Sequence, residues 1–283
     1  MEKVKLNNGV EMPVLGFGVM QIMGDECEAA ILNAIEAGYR LFDTAELYGN
    51  EQAVGNAIKR SGIPREDLFI TTKFGSKEAG YEKTTTAFQR SLEALQLDYI
   101  DLYLIHQPFG DIFGSWRAMQ DLYNAGKIKA IGVCNFLPDR LMDLIANSGF
   151  TPAVNQIEAH PYQQQIETHQ FLQDNGVQIE AWSPFAEGMN DIFNNEVLAA
   201  IAAKYNKTVA QVILRWLTQR GVVAIPKSSR KERMIENIGI FDFRLSDEDI
   251  QRIQTLDTKQ SAFFDHRNPA IVKWMSEYGW LDS

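Results

Sequence analysis

The 283 residues carry 37 Asp and Glu against 27 Lys and Arg, a net charge of −10 at pH 7, and such a chain opposes a phosphate backbone, whose affinity comes from cations that neutralise it. Nucleic acid is therefore not expected as a partner. Hydrophobic residues at 45% and charged residues at 23% are those of a globular chain, no apolar run reaches the length of a membrane span, and Met1-Glu2-Lys3-Val4-Lys5-Leu6-Asn7-Asn8-Gly9 lacks the apolar core of a secretion signal.

The expectation is a cytoplasmic protein that works off the membrane. No Pro/Gly/Ser-rich linker divides it, so residues 1–283 read as a single domain. Two cysteines, Cys27 and Cys134, fit reduced thiols better than a disulfide framework. The histidines, His106, His160, His169 and His266, form no helical metal pair and no Cys/His cluster, so no metal is expected.

Residues 3–14 hold two strand-like pieces around Asn7-Asn8-Gly9, a hairpin signal suited to closing the bottom of a barrel. From Leu15 onward, strand-like and helix-like runs alternate. Gly16 to Val19 is the first strand, and its helix is expected to open at Asp25 with Glu28 in capping-box register and to stop at Gly38. Tyr39 to Phe42 is the second strand, followed by Asp43, Tyr48 and a helix with Asn50 as its N-cap. The third unit runs from Asp67 to Lys73 into a helix with Phe88, Leu92 and Leu95 on one face, and the fourth from Ile100 to His106 into a helix with Trp116, Met119, Leu122 and Tyr123.

Strand five is Ile128 to Val133, with Pro138 suited to the first turn of its helix. Strands six, seven and eight are Ala153 to Ile157, Val177 to Trp182 and Val222 to Ile225. Helices are expected near 195–205, at 208–219 with Thr208 and Gln211 in capping-box register, over Arg230 to Ile238, and from Ser246. Eight strands with following helices in this length predict a (β/α)8 TIM barrel with an N-terminal β-hairpin and a C-terminal extension. A doubly wound sheet is the alternative, but Gly16-Phe17-Gly18-Val19-Met20-Gln21 supplies only two of the glycines of a dinucleotide fingerprint.

A barrel of this kind builds its active site at the C-terminal strand ends. Asp43 ends strand two with Tyr48 following it, Lys73 ends strand three, and His106 ends strand four. Adjacent strands lie ~4.8 Å apart, so the four side chains can converge. A cation ~4 Å from a phenol at an effective dielectric of ~20 favours phenolate by ~4 kcal/mol before desolvation, which predicts a Tyr48 pKa shifted toward neutrality. Asp43 would keep Lys73 charged and His106 would orient a substrate oxygen. Each also has an ordinary reading as a solvated strand end, a rim histidine, a packing aromatic or a loop cap.

The constellation resembles the aldo-keto reductase family over Leu6 to Asp265. The resemblance is carried by Gly16-Phe17-Gly18, Phe42-Asp43-Thr44-Ala45, Tyr48-Gly49-Asn50-Glu51, Thr71-Thr72-Lys73, Leu104-Ile105-His106, Ile131-Gly132-Val133-Cys134-Asn135-Phe136, Asn155-Gln156-Ile157-Glu158, Trp182-Ser183-Pro184 and Ile225-Pro226-Lys227-Ser228. It implies a carbonyl reductase acting on a small-molecule carbonyl substrate with NADPH/NADP+ extended across the barrel mouth, working as a monomer. Asp43, Tyr48, Lys73 and His106 take the catalytic places.

The resemblance further places Gly18, Val19 and Met20 along the cofactor, Asn135 and Gln156 at the nicotinamide carboxamide, and Trp182 stacked on the nicotinamide. Ser183 falls near the pyrophosphate, Lys227, Ser228 and Arg233 near the adenosine 2′-phosphate, and Glu236 and Asn237 near the adenine. Cys134 stands where many members have Ser, and Gln107 and Met20 replace rim aromatics. The loop from Pro184 to Phe193 is short, as in bacterial members similar to diketogluconate reductases. The tail from Phe263 through Trp274 and Trp280 either covers the pocket or packs outside the barrel.

Two other functions stay open. A metal-dependent isomerase or a glycosidase on the same barrel would want acids at several strand ends, where Glu158 and Glu180 are the only further candidates. A nucleotide-sensing regulatory subunit with the same fold and little turnover is the other.

Overall fold

A computed structural model describes residues 2–277. Its first element is an antiparallel hairpin of β1 (Lys3–Lys5) and β2 (Glu11–Pro13). Eight parallel strands follow: β3 (Phe17–Gly18), β4 (Leu41–Asp43), β5 (Phe69–Phe74), β6 (Ile100–Ile105), β7 (Ile128–Cys134), β8 (Val154–Glu158), β9 (Gln178–Trp182) and β10 (Val223–Ala224). Each pairs with the next in chain order. A parallel bridge from Leu15 to Ala224 joins the ends of the series, supported by Gly16 N–H donating to the Ala224 carbonyl at 2.8 Å and Gly18 N–H to the Pro226 carbonyl at 3.0 Å. The sheet is thereby closed, and the fold is the expected (β/α)8 barrel.

Alternation along the strands sorts the side chains into two apolar clusters, because successive residues of a strand point to opposite faces. Phe42, Ile70, Tyr103, Ile105, Ile131, Val133, Ile157, Ile179 and Ala181 belong to the layer between strands and helices. Leu41, Phe69, Leu102, Leu104, Ala130, Cys134, Val154 and Val223 fill the barrel interior. Leu6 and Met12 of the hairpin join that interior cluster, so the hairpin closes the bottom as its sequence suggested. Space inside is tight: a Cβ at Gly132 would lie 2.6 Å from the Val154 carbonyl oxygen.

The outer layer consists of α1 (Gly24–Ala37), α2 (Glu51–Ser61), α3 (Tyr81–Leu95), α4 (Ile112–Asn124), α5 (Pro138–Ser148), α6 (Ile166–Asp174), α7 (Glu196–Tyr205), α8 (Val209–Gln219) and α9 (Lys231–Ile238), followed by α10 (Asp247–Gln254) and α11 (Pro269–Glu277). Trp116 of α4 and Trp216 of α8 are fully buried. The capping boxes of Thr208 with Gln211 and of Ser246 with Asp249 are present, and Gly38 ends α1 in the left-handed region at φ 110°.

Two expected caps are not made. The first helix begins one residue earlier than expected, with Met23 at the N-cap and no side-chain cap, and Glu28 pairs instead with Arg60 of α2. Asn50 holds the N-cap position of α2 without capping it. Its amide is engaged elsewhere, in the loop that carries the candidate acid.

Candidate active site

The inward-facing positions of β4, β5 and β8 change from apolar to polar as each strand reaches its C-terminal end. Leu41 gives way to Asp43, Phe69 to Thr71 and Lys73, Val154 to Gln156, and Glu180 lies in register with Gln156. Lys73 is fully buried, and its ammonium donates to Asp43 Oδ1 at 2.5 Å, to the Thr44 carbonyl at 3.0 Å and to Tyr48 Oη at 3.5 Å. Burial opposes the Lys73 charge, but the Asp43 carboxylate and the Tyr48 phenol outweigh it and hold the ammonium above its ordinary range. Burial pushes Asp43 upward, against the opposing pull of Lys73 and of its hydrogen bonds from Lys73 and Gln156.

Tyr48 comes to this pair on a 3-10 turn, Glu46–Tyr48, closed by Gly49 at φ 65°. Asn50 fixes the turn from behind: its Nδ2 donates to the Val19 and Ile22 carbonyls at 2.9 Å each, and its Oδ1 accepts from Thr44 Oγ1 at 2.7 Å. A phenol that must sit within reach of a buried cation needs such a brace, and a solvent-facing N-cap would not provide it. His106 follows β6 and meets the Tyr48 ring edge to face, with centroids 5.8 Å apart. The four residues converge as the strand-end argument expected.

The expected drop in the Tyr48 pKa does not occur. Burial dominates, followed by the opposing influences of Lys73 and Asp43, and the phenol is pushed up to about 12. Tyr48 therefore carries its proton at neutral pH. Burial and the neighbouring Lys73 charge hold His106 well below its usual range, so its imidazole is neutral.

Above this group lies a cavity of about 130 Å³ that Asp43, Tyr48, His106, Gln156, Trp182 and Phe264 help to line. Gly18, Met20, Asn135, Ser183 and Lys227 line it as well, whereas the Val19 side chain is buried in the layer beneath the helices. Asn135 adopts φ 62°, donates to the His106 carbonyl at 3.2 Å and accepts from Trp182 Nε1 at 2.9 Å. Ser228, Arg233, Glu236 and Asn237 stand apart from this cavity, on and before α9. There Arg233 meets Glu236 at 2.7 Å, and the Asn237 Oδ1, in a buried residue, has no hydrogen-bond partner among the described residues.

The tail lies over the pocket. Ser261 Oγ and Ala262 N–H donate to the buried Glu158 carboxylate at 2.5 and 2.7 Å, Phe263 and Phe264 pack on Trp182 with centroids at 5.1 and 6.4 Å, and His266 Nε2 is 3.1 Å from Gln107 Oε1. Gln107, where rim aromatics are common in the resemblance, thus meets a residue of the tail. Trp274 lies on α11, and Trp280 lies outside the described residues. Phe264 and His266 escaped the sequence reading as specific site residues because no strand-end position marks them. Among the described residues no group of His, Cys, Asp and Glu is arranged to hold a metal ion, and no helix is long and apolar enough to cross a membrane.

Comparison with known proteins bears on the family of this chain. Glyoxal reductase of Bacillus subtilis (strain 168) is 51% identical over 258 residues, covering 90% of this chain and 93% of that protein. Among solved structures, MGS-M4, an aldo-keto reductase from a Medee basin deep-sea metagenome library, superposes with a TM-score of 0.92 at 45% identity over 94% of this chain and 98% of that one. The Bombyx mori aldo-keto reductase in complex with NADP has a TM-score of 0.89 at 34% identity over 96% of each chain. Residues 14–258 match the model of the Aldo/keto reductase family, and the chain belongs to that family.

Proposed function

We propose that the protein reduces small aldehydes and ketones to alcohols with NADPH, and that Tyr48 supplies the proton. The observation that carries this reading is the protonated Tyr48 phenol beside the buried Lys73–Asp43 pair at the floor of a cavity. Its support from relatives is the glyoxal reductase likeness and the NADP complex of the Bombyx mori protein. The residues fit such a cofactor. Both amide hydrogens of Gln156 are committed to carboxyl oxygens, which leaves its carbonyl oxygen to accept from a carboxamide, and the buried Asn237 Oδ1 lacks a partner among the described residues. Trp182 and Asn135 would hold the nicotinamide end, and Lys227, Ser228 and Arg233 the 2′-phosphate.

When bound, NADPH supplies the hydride. Tyr48 gives its phenolic proton to the carbonyl oxygen as negative charge develops there, and Lys73 at 3.5 Å stabilises the phenolate left behind. Asp43 keeps that ammonium in place, and removing it would leave a buried, uncompensated charge. Neutral His106 faces the same cavity and orients the carbonyl oxygen.

The test is steady NADPH oxidation with glyoxal and a panel of simple aldehydes, run beside Tyr48→Phe. General acid catalysis contributes about 10²- to 10⁴-fold, so the variant should lose at least a hundredfold in turnover while binding NADPH as the wild type does. A variant that kept a tenth of wild-type turnover, with chemistry rate-limiting, would remove Tyr48 from the role. Tight NADPH binding without turnover on any carbonyl would instead support the regulatory function.

A further inference from the structure

The barrel mouth contains a second carboxyl group that the proton transfer above does not use. Glu180 faces inward on β9, fully buried, in register with Gln156 of β8. Gln156 Nε2 spans the two acids, donating to Asp43 Oδ2 at 2.8 Å and to Glu180 Oε2 at 2.9 Å. The Gln156 Oε1 meets the Cys134 thiol at 3.9 Å, a weak donor, and the Glu180 Oε1 has no partner among the described residues.

The charges in this closed space do not balance if both acids ionise. The groups facing Glu180 are Asp43 of β4, Lys73 of β5 and Cys134 of β7, with Tyr48 and His106 beyond. Tyr48 is a protonated phenol, His106 is neutral, and burial keeps the Cys134 thiol protonated. Among the described residues facing this space, Lys73 is thus the one cation for two carboxyl groups, and Asp43 takes it directly. A second carboxylate would be an unpaired charge in a buried interior, a state that proteins avoid by retaining the proton.

We propose that Glu180 is a positioning residue for the nicotinamide end of the cofactor: a neutral carboxyl that fixes the direction of the Gln156 amide, and whose ionisation favours the oxidised cofactor over the reduced one. The inference rests on the dinucleotide reading given above. A flipped Gln156 would turn its oxygen toward the Asp43 carboxylate and take its N–H from Glu180 Oε2, so the two acids together hold the amide with its acceptor free for a carboxamide N–H. Ionising Glu180 adds a negative charge one hydrogen bond behind Gln156, which lines the cavity, and only the oxidised nicotinamide carries a positive charge to meet it. Burial, then the Asp43 charge, pushes Glu180 up to about 8 against the opposing effects of Gln156 and Lys73, which brings the change into an accessible range of pH. Proton and cofactor must then be linked reciprocally.

The experiment measures the dissociation constants of NADP+ and NADPH by quenching of protein fluorescence from pH 6 to 9.5, in the wild type and in Glu180→Gln. The 2′-phosphate titrates in both cofactors and cancels in their ratio. The ratio of the NADP+ constant to the NADPH constant should fall at least fivefold in the wild type as pH rises through about 8, and should stay within twofold in Glu180→Gln. In parallel, infrared difference spectra of the cofactor-free protein should show a protonated carboxyl band that disappears over the same pH range and is missing from Glu180→Gln. A flat ratio in the wild type with both cofactors bound, or an equal slope in the variant, overturns the role of Glu180. Failure of both cofactors to bind, with the infrared titration intact, overturns the dinucleotide reading and this role with it.

Discussion

Arg233 holds its guanidinium against both oxygens of Glu236, at 2.7 and 2.9 Å. From sequence, cations at the start of α9 call for an anion, since the helix macrodipole disfavours them there. The fold supplies acids and an amide: Lys231 pairs with Glu36 at 2.7 Å and Lys227 donates to Gln21 at 2.8 Å. A 2′-phosphate would therefore compete with Glu236 for Arg233 instead of meeting an idle cation. Charge-assisted hydrogen bonds contribute about 1.5 to 3 kcal/mol each, so Arg233→Ala should weaken NADPH about tenfold or more and NADH less than threefold by fluorescence titration. Equal losses would show that Arg233 acts by holding α9 through Glu236. The residue type was legible in the sequence, but its partner, three positions away on the same helix, depended on competing contacts.

At the scale of elements, the contact between β8 and the tail shows how a strand end controls a segment outside the barrel. Glu158 ends β8 with its carboxylate accepting from Ser261, Ala262 and, through Oε1 at 2.9 Å, facing His160 Nε2. Thr258 adds two bonds to the Tyr162 carbonyl, at 2.7 and 2.9 Å. Together they draw the chain across the mouth and seat Phe263 and Phe264 on Trp182. Glu158→Ala leaves the half-buried donors of Ser261 and Ala262 without this acceptor, at about 1 kcal/mol for each. The Ala262 amide should then exchange with solvent at least tenfold faster, while amides within β7 and β8 keep their protection. Unchanged exchange at Ala262 would mean that the aromatic contacts alone hold the tail. The sequence placed Glu158 at a strand end, yet no periodic pattern covers residues 257–267, so the tail's position came only with the fold.

For the molecule as a whole, burial of ionisable groups sets opposing dependences on pH. His169 of α6 is held down to about 4 by burial and by Arg220, and His266 down to about 4 by burial against the opposing charges of Glu158 and Asp265. Between about 6.5 and 4 the unfolded chain takes up these protons and the native protein does not, so stability falls as pH falls through that window. Glu180 works in the other direction, since the native protein retains its proton up to about 8 while the unfolded chain releases it above about 4.5. The histidine part is isolated by urea unfolding of the wild type and of His169→Gln at pH 4.5 and at pH 7. Restoring its ordinary proton affinity on unfolding makes His169 responsible for about 2 to 3 kcal/mol of the loss at the lower pH, so His169→Gln should reduce the pH dependence by that amount. An identical slope in wild type and variant would remove His169 as a cause.

The succession of eight strand-like runs, each with a following helix, determined the barrel by itself, because parallel strands need helical crossovers and eight such units in this length close on themselves. It also determined which strand ends carry Asp43, Lys73 and His106, since position along a strand is a property of the sequence. The tertiary structure decided what those groups become when enclosed. It turned Asn50 from a helix cap into the brace behind Tyr48, reversed the expected shift of the Tyr48 phenol, and joined Glu180 to Asp43 through Gln156. Protonation and partner choice depend on burial and on distances between residues up to 113 positions apart, and removal from water, which no local pattern encodes, decides which charge persists.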